Sequence, residues 1–213
     1  MENTNTFKVQ STSSNLISLN VTPGHYATSS SHINYYIDMT SLKSRRSEAH
    51  AAAKVLATRY AATTIIDTIV CLDGTNVIGA YLADELLNTG ILSANLHNTA
   101  YIISPEQHSG GQLIFRENYL SMIKGKHVLV LLATATTGKT LQTALECIEY
   151  YGEVVGVSSI FSAADEIHDE QINTIFRTED IPNYETHSAA DCPLCKAGIP
   201  IKGIINSHGY SSL

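Results

Sequence analysis

The sequence predicts an α/β domain with a mainly parallel sheet flanked by helices, preceded by an N-terminal β ribbon and followed by an irregular C-terminal tail. Between residues 67 and 161, apolar β-branched runs alternate with stretches of helical period, the order that strand–helix–strand units produce. Two of those runs end in loops of small polar residues, DGTN and TATTGKT, where open α/β sheets hold ligands. With 213 residues, 44% hydrophobic and 15% charged, the chain is long and apolar enough to bury a real core.

Residues 7–9, 17–21 and 33–38 carry short alternating patterns around the turn signal Pro23-Gly24, and so read as a ribbon or hood spanning 1–40. The alanine-rich segment 45–60 has strong helix propensity and opens a core predicted over 41–177. Within that core, strands are predicted at 67–72, 100–103, 128–132 and 154–161, and helices at 77–87 and 141–151. Residues 107–112 read as a Gly-containing loop. From 178 to 213 regularity fades into a tail with a CPLC motif that wraps the domain or a neighbour.

The formal charge of −7, without a basic run beyond Arg45-Arg46, disfavours nucleic acid as a partner. No stretch has the length of a membrane span and the first residues lack a signal-peptide pattern, so a cytoplasmic location is expected. Cys71 and Cys147 sit in apolar runs and read as buried thiols.

The segment VLVLLATATTGKTLQTALECI reads as strand, loop and helix, an arrangement that aims backbone N–H groups and a positive helix end at an anion. The plain alternative is a βα turn eased by Gly138 and capped by Thr136 or Thr137. Ala133 followed by Gly138, Lys139 and Thr140 approaches a Walker A loop, but alanine replaces the first glycine. No later apolar run ends in the acidic residue that would hold magnesium, which argues against a nucleotide triphosphatase.

The same segment resembles the phosphoribosyl-diphosphate motif of type I phosphoribosyltransferases, in which a strand ends in two acidic residues and runs into Thr-Thr/Ala-Gly-x-Thr. HYATSSSHINYYIDM looks like the N-terminal ribbon of orotate phosphoribosyltransferases, and DTIVCLDGTNVIGAYLADEL like their strand, diphosphate loop and helix. SGGQL is similar to the end of their mobile loop, and order and spacing agree from about Gly24 to Ala163. The resemblance implies a homodimer that uses Mg2+ to transfer a phosphoribosyl group from phosphoribosyl diphosphate to a nucleobase such as orotate. It places Thr134, Thr136, Thr137, Gly138, Lys139 and Thr140 on the 5′-phosphate, and Asp73, Gly74, Thr75 and Asn76 on the diphosphate. Tyr35 or Tyr36 would approach the base, though adjacent strand residues face opposite ways.

Several positions depart from that pattern. Leu132 and Ala133 replace the acidic pair, Thr28 stands where a lysine is usual, and 104–111 carry no Lys or Arg. No arginine follows the strand at 154–161 to meet the carboxylate of orotate. His108 and Arg116 are the candidate replacement cations, and Asp73 the candidate to hold magnesium through water. A non-catalytic binder of a nucleotide or phosphoribosyl ligand, serving as a sensor or partner subunit, is the second reading.

Cys192 and Cys195, with His187 and His208 nearby, admit two readings. One is a structural Zn2+ site and the other a turn with two reduced thiols.

Overall fold

The computed structural model describes residues 6–88, 93–95, 99–107, 112–136, 138–167, 170–206 and 209–213. The alternating residues at the start form β1 (Phe7–Gln10), β2 (Ser18–Ala27) and β3 (His32–Asp38), with β1 and β3 antiparallel to β2. Ile17, Leu19 and Val21 are fully buried, so one face of this ribbon is pressed onto the core. A short helix α1 (Thr40–Ser44) leads into α2 (Arg46–Ala57). The inward face of α2 is Ala49, Ala52, Ala53, Leu56 and Ala57, and its small side chains let it pack closely.

The central chain then runs through β4 (Thr68–Cys71), α3 (Asn76–Asn88) and β5 (Tyr101–Ile103). Two short strands, β6 (Glu106–Gln107) and β7 (Leu113–Ile114), pair antiparallel around the segment expected to be a loop. They lead through α4 (Glu117–Ile123) to β8 (His127–Ala135), α5 (Lys139–Glu149) and β9 (Glu153–Ser162). The antiparallel pair β10 (Glu166–Ile167) and β11 (Glu170–Arg177) completes the sheet. Its order is β10-β11-β9-β8-β4-β5, parallel apart from β10. The expected α/β architecture, a mainly parallel sheet with helices on both faces, is thus present.

Alternate residues of the central strands enter two separate cores. Ile69, Cys71, Leu129, Leu131 and Ala133 meet α2 and α3, while Val70, Leu72, Val128, Val130 and Leu132 meet α5. Such strands, buried on both faces, read as continuous apolar runs, which is why they were visible in the sequence. β11 was not anticipated, because polar Asn173 and Thr174 interrupt its apolar residues. Their hydrogen bonds explain how it is tolerated: Asn173 Nδ2 donates to Leu56 O and to Ser158 Oγ, and Ser159 Oγ donates to Thr174 Oγ1.

The tail carries β12 (Thr186–His187), a single helical turn α6 (Pro193–Lys196), β13 (Gly203–Asn206) and β14 (Gly209–Ser212). These strands extend the ribbon into a sheet of order β12-β3-β2-β13-β14, with β1 also on β2. Among the described residues, two pairs, Gly203 with Tyr26 and Ile204 with Ala27, join β13 to β2.

Two contacts fix the strands that carry the candidate site. A side chain at Gly79 of α3 would collide with Cys71 Sγ, so glycine lets that helix lie directly on β4. Burial pushes the Cys71 thiol up to about 12, leaving it an inert packing group. At the amino ends of β4 and β8, Asp67 Oδ2 accepts hydrogen bonds from His127 N at 2.9 Å and His127 Nδ1 at 2.8 Å. Burial raises the Asp67 carboxyl, but the amide and ring of His127 and the charge of Lys126 lower it further, so it lies below its usual range.

A depressed folded pKa stabilises the protein above the unfolded value of about 4, and that stability is lost as pH falls through the folded value. Asp67→Asn is expected to cost about 1–2 kcal/mol at pH 7, measured by urea unfolding. The difference should shrink in the same titration below about pH 4.

Candidate functional site

The sheet order places β5 on one side of β4 and β8, β9 and β11 on the other, so the connection reverses between β4 and β8. In open parallel sheets the crevice beyond such a reversal is the ligand site. The loops that emerge there are the two that the sequence singled out.

After β4, Asp73 (φ 54°) and Gly74 (φ 74°) take consecutive left-handed conformations, which fold the chain tightly into α3. Thr75 does not face outward: its hydroxyl bonds to Leu72 O and Leu131 O and the residue is fully buried. It ties the loop to β8. Asn76 Nδ2 donates to Ser104 Oγ at 2.6 Å, linking the loop to the end of β5.

The Asp73 carboxylate turns toward β8 and accepts a 3.3 Å hydrogen bond from Ala133 N. Burial raises its pKa; the amides of Ala133 and Thr134 and the charge of Lys43 pull the other way without cancelling the rise. Lys43, on α1, donates from Nζ to Asp73 O at 2.9 Å. Sequence reasoning missed it, since a lysine in a short helix thirty residues upstream gives no local signal. The fold alone brings it to the DGTN loop.

β8 continues to Ala135, so Ala133 is a buried strand residue and not the opening of a wrapped Walker loop. Leu132 and Ala133 point into opposite cores and are 2% and 5% exposed, leaving apolar packing where an acidic pair was the expectation of the resemblance. Thr134 is exposed and Thr136 half-buried, while Thr137 lies outside the described residues. Gly138 (φ 74°) precedes α5, and no side chain caps the helix there. The N-cap is thus Gly138 and not Thr136, and the backbone N–H groups of the first turn, which begins at Lys139 and Thr140, are the donors an anion there would meet.

Other candidates are placed differently. Arg116 makes a bidentate ion pair with Glu106, Nε to Oε1 at 2.9 Å and Nη2 to Oε2 at 2.6 Å, and closes the β6–β7 hairpin. His108 lies outside the described residues. Tyr35 packs edge-on to Phe7 at 5.9 Å, and Tyr36 joins Tyr26 and Tyr210 at 6.0 and 5.3 Å on the opposite face. An arginine does reach the end of β9, from the next strand: Arg177 pairs in register with Ser162 and forms an ion pair with Asp165. Cys192 and Cys195 come together, but their companions are His25 and His32, whereas His187 bonds to Glu185 and His208 lies outside the described residues.

The donor set does not fit a magnesium ion held by the protein. That ion is bound through carboxylates and phosphates in near-ideal octahedral geometry. Here Leu132 and Ala133 offer no oxygen side chain, and the Asp73 carboxylate is committed to backbone amides.

No family model matches the chain. Curated relatives include the orotate phosphoribosyltransferases of Caldanaerobacter subterraneus, 34% identical over 79 residues, and Caldicellulosiruptor bescii, 36% identical over 81 residues. Each match spans 37% of this chain and 40% of the relative. Among solved structures, adenine phosphoribosyltransferase from Leishmania donovani superposes over 83% of this chain and 89% of its own, with a TM-score of 0.51 at 17% identity. The chain therefore has the fold of a type I phosphoribosyltransferase. Over the shorter matched stretch it is related in sequence to orotate phosphoribosyltransferases.

Two substitutions test this geometry. At Gly138 an added Cβ would lie 2.8 Å from Ile167 Cγ2 at a positive φ, so Gly138→Ala is expected to destabilise by about 1–3 kcal/mol in urea unfolding. Asp73→Asn should act oppositely. A carboxyl whose folded pKa is raised keeps its proton longer in the folded state, so ionisation opposes folding as pH climbs above the ordinary value of about 4. Thermal melts should show the variant more stable than the parent at pH 7, and the gain should vanish well below pH 4.

Proposed function

We propose that the crevice between β4 and β8 binds a 5-phosphoribosyl ligand, and that the protein is a phosphoribosyltransferase moving that group from phosphoribosyl diphosphate to a nucleobase nitrogen. The observation that carries the reading is the pairing of the two loops at the reversal point, joined by Asp73 Oδ2 and Ala133 N. The glycine-led start of α5 suits a phosphate, with Thr134, Thr136, Gly138, Lys139 and Thr140 around it. The left-handed turn at Asp73-Gly74 suits the diphosphate.

In this reaction the diphosphate departs before the new bond is far formed, leaving positive charge on the ribose and negative charge on the leaving group. Lys43 is the cation that the fold sets beside the diphosphate loop. Asp73 reaches the end of β8 from the neighbouring loop and, by accepting from Ala133 N, holds the two loops side by side. Magnesium then belongs with the diphosphate rather than with a protein-held site. Orotate as the accepting base, a homodimeric state and a cytosolic setting follow from the resemblance to orotate phosphoribosyltransferases, which the partial relatives support.

A second reading, a non-catalytic phosphoribosyl or nucleotide binder, is favoured by one observation. Leu132 and Ala133 are sealed into the two cores, so the end of β8 itself offers no charged group to the ribose. Diphosphate release from phosphoribosyl diphosphate with a panel of nucleobases separates the two. The transferase reading expects turnover that Lys43→Ala lowers by about 30-fold to 1000-fold, the loss of one preorganised charged contact. Binding of phosphoribosyl diphosphate by calorimetry with no diphosphate released from any base would leave the binder reading instead.

A further inference from the structure

Outside the crevice, one cluster of side chains among the described residues has the composition of a metal site. The ligand atoms of His25, His32, Cys192 and Cys195 all lie within 4.8 Å of one another. His25 Nε2 is 3.1 Å from His32 Nδ1, 3.5 Å from Cys192 Sγ and 3.6 Å from Cys195 Sγ, and Cys195 Sγ is 3.2 Å from His32 Nδ1. A tetrahedron with zinc–sulfur bonds of about 2.3 Å and zinc–nitrogen bonds of about 2.0–2.1 Å has edges of about 3.3 Å between nitrogens and about 3.6 Å between nitrogen and sulfur. The three separations from His25 Nε2 lie within about 0.2 Å of those edges, and that from Cys195 Sγ to His32 Nδ1 is about 0.4 Å shorter.

The surroundings point the same way. His25 is 1% exposed, and its Nδ1 lies 2.8 Å from Ile199 O. A ring nitrogen facing a carbonyl carries the proton and donates it, which leaves the Nε2 lone pair directed into the cluster. Backbone carbonyls orient metal-binding imidazoles in this way. Cys192 is also buried and stands at the N-cap of α6, with Pro193 in the first turn, so a single helical turn sets both sulfurs on one side. Two thiolates and two imidazoles in a tetrahedral array select zinc among the common divalent ions.

We propose that His25, His32, Cys192 and Cys195 bind one structural Zn2+ that fastens the C-terminal tail to the ribbon. Four protein ligands close the coordination shell, leaving no position for substrate or water. The ion ties residues 167 positions apart, next to a β13–β2 pairing of two residue pairs and the bond from Lys202 N to His25 O. It supplies the holding power that so short a ladder lacks. Binding displaces the thiol protons to solvent, so affinity falls in acid.

The test uses the full chain, expressed with zinc and purified without chelator or histidine tag. Elemental analysis should find about one zinc per chain. Exchange with Co2+ should give the intense visible bands of a tetrahedral thiolate site. Cys195→Ser and His32→Ala, both outside the buried interior, should each lose most of the metal, whereas His187→Ala should keep it. Removing zinc from the parent should lower Tm by on the order of 10 °C and expose residues 186–213 to proteolysis. Zinc below a tenth of an equivalent, with no cobalt spectrum in the unmodified chain, would overturn the proposal. So would retention of full metal by both His32→Ala and Cys195→Ser. Neither outcome bears on the phosphoribosyl reading, whose diphosphate assay is separate.

Discussion

The candidate site depends on one constraint, the side-by-side parallel pairing of β4 and β8 with their registers matched from Thr68–Val128 to Cys71–Leu131. A strand buried on both faces cannot slip by a single residue without exchanging its two apolar faces, so this register is strongly specified. Once it is set, the two loops must emerge together at the same edge. Thr75 reaches Leu131 O, and Asp73 reaches Ala133 N, only because that alignment holds. The amino-terminal clasp of Asp67 on His127 secures the same pair of strands at their other end.

The loss of the acidic pair looks different once the packing is known. Carboxylates at Leu132 and Ala133 would have to turn away from the two cores that these residues now fill, so their replacement by apolar groups improves the sheet while emptying the site of charge. The charged groups nearby come instead from other elements, Asp73 from the loop after β4 and Lys43 from α1. Burial raises the Asp73 carboxyl, so its ionised form is disfavoured in that loop.

The core strands and the major helices were legible because their signals are local and periodic. The apolar run of β8 and the alanine face of α2 need no distant partner to be recognised. What escaped depends on contacts between remote residues. β11 is polar at positions whose partners lie on α2 and β9, so its pattern looked like loop. Lys43 is defined by the end of β4, and the histidines beside Cys192 and Cys195 by a hairpin 167 residues earlier. His25 and His32 did leave a trace, since both flank the same turn of a ribbon, but nothing in sequence connects that turn to the tail. His187 is nearer to the cysteines along the chain but bonds to Glu185, so proximity along the chain is a poor guide to proximity in space.

The mixed sheet of ribbon and tail sets an order for assembly. β2 lies among the first thirty residues, yet its parallel neighbour β13 is not made until residue 206 has been synthesised. The parallel core can close first, because all its strands lie between Thr68 and Arg177. Until then one edge of β2 near Tyr26 has no strand beside it, and pairing across so great a separation is slow. The growing chain therefore carries an open β edge until β13 has been made and can cover it.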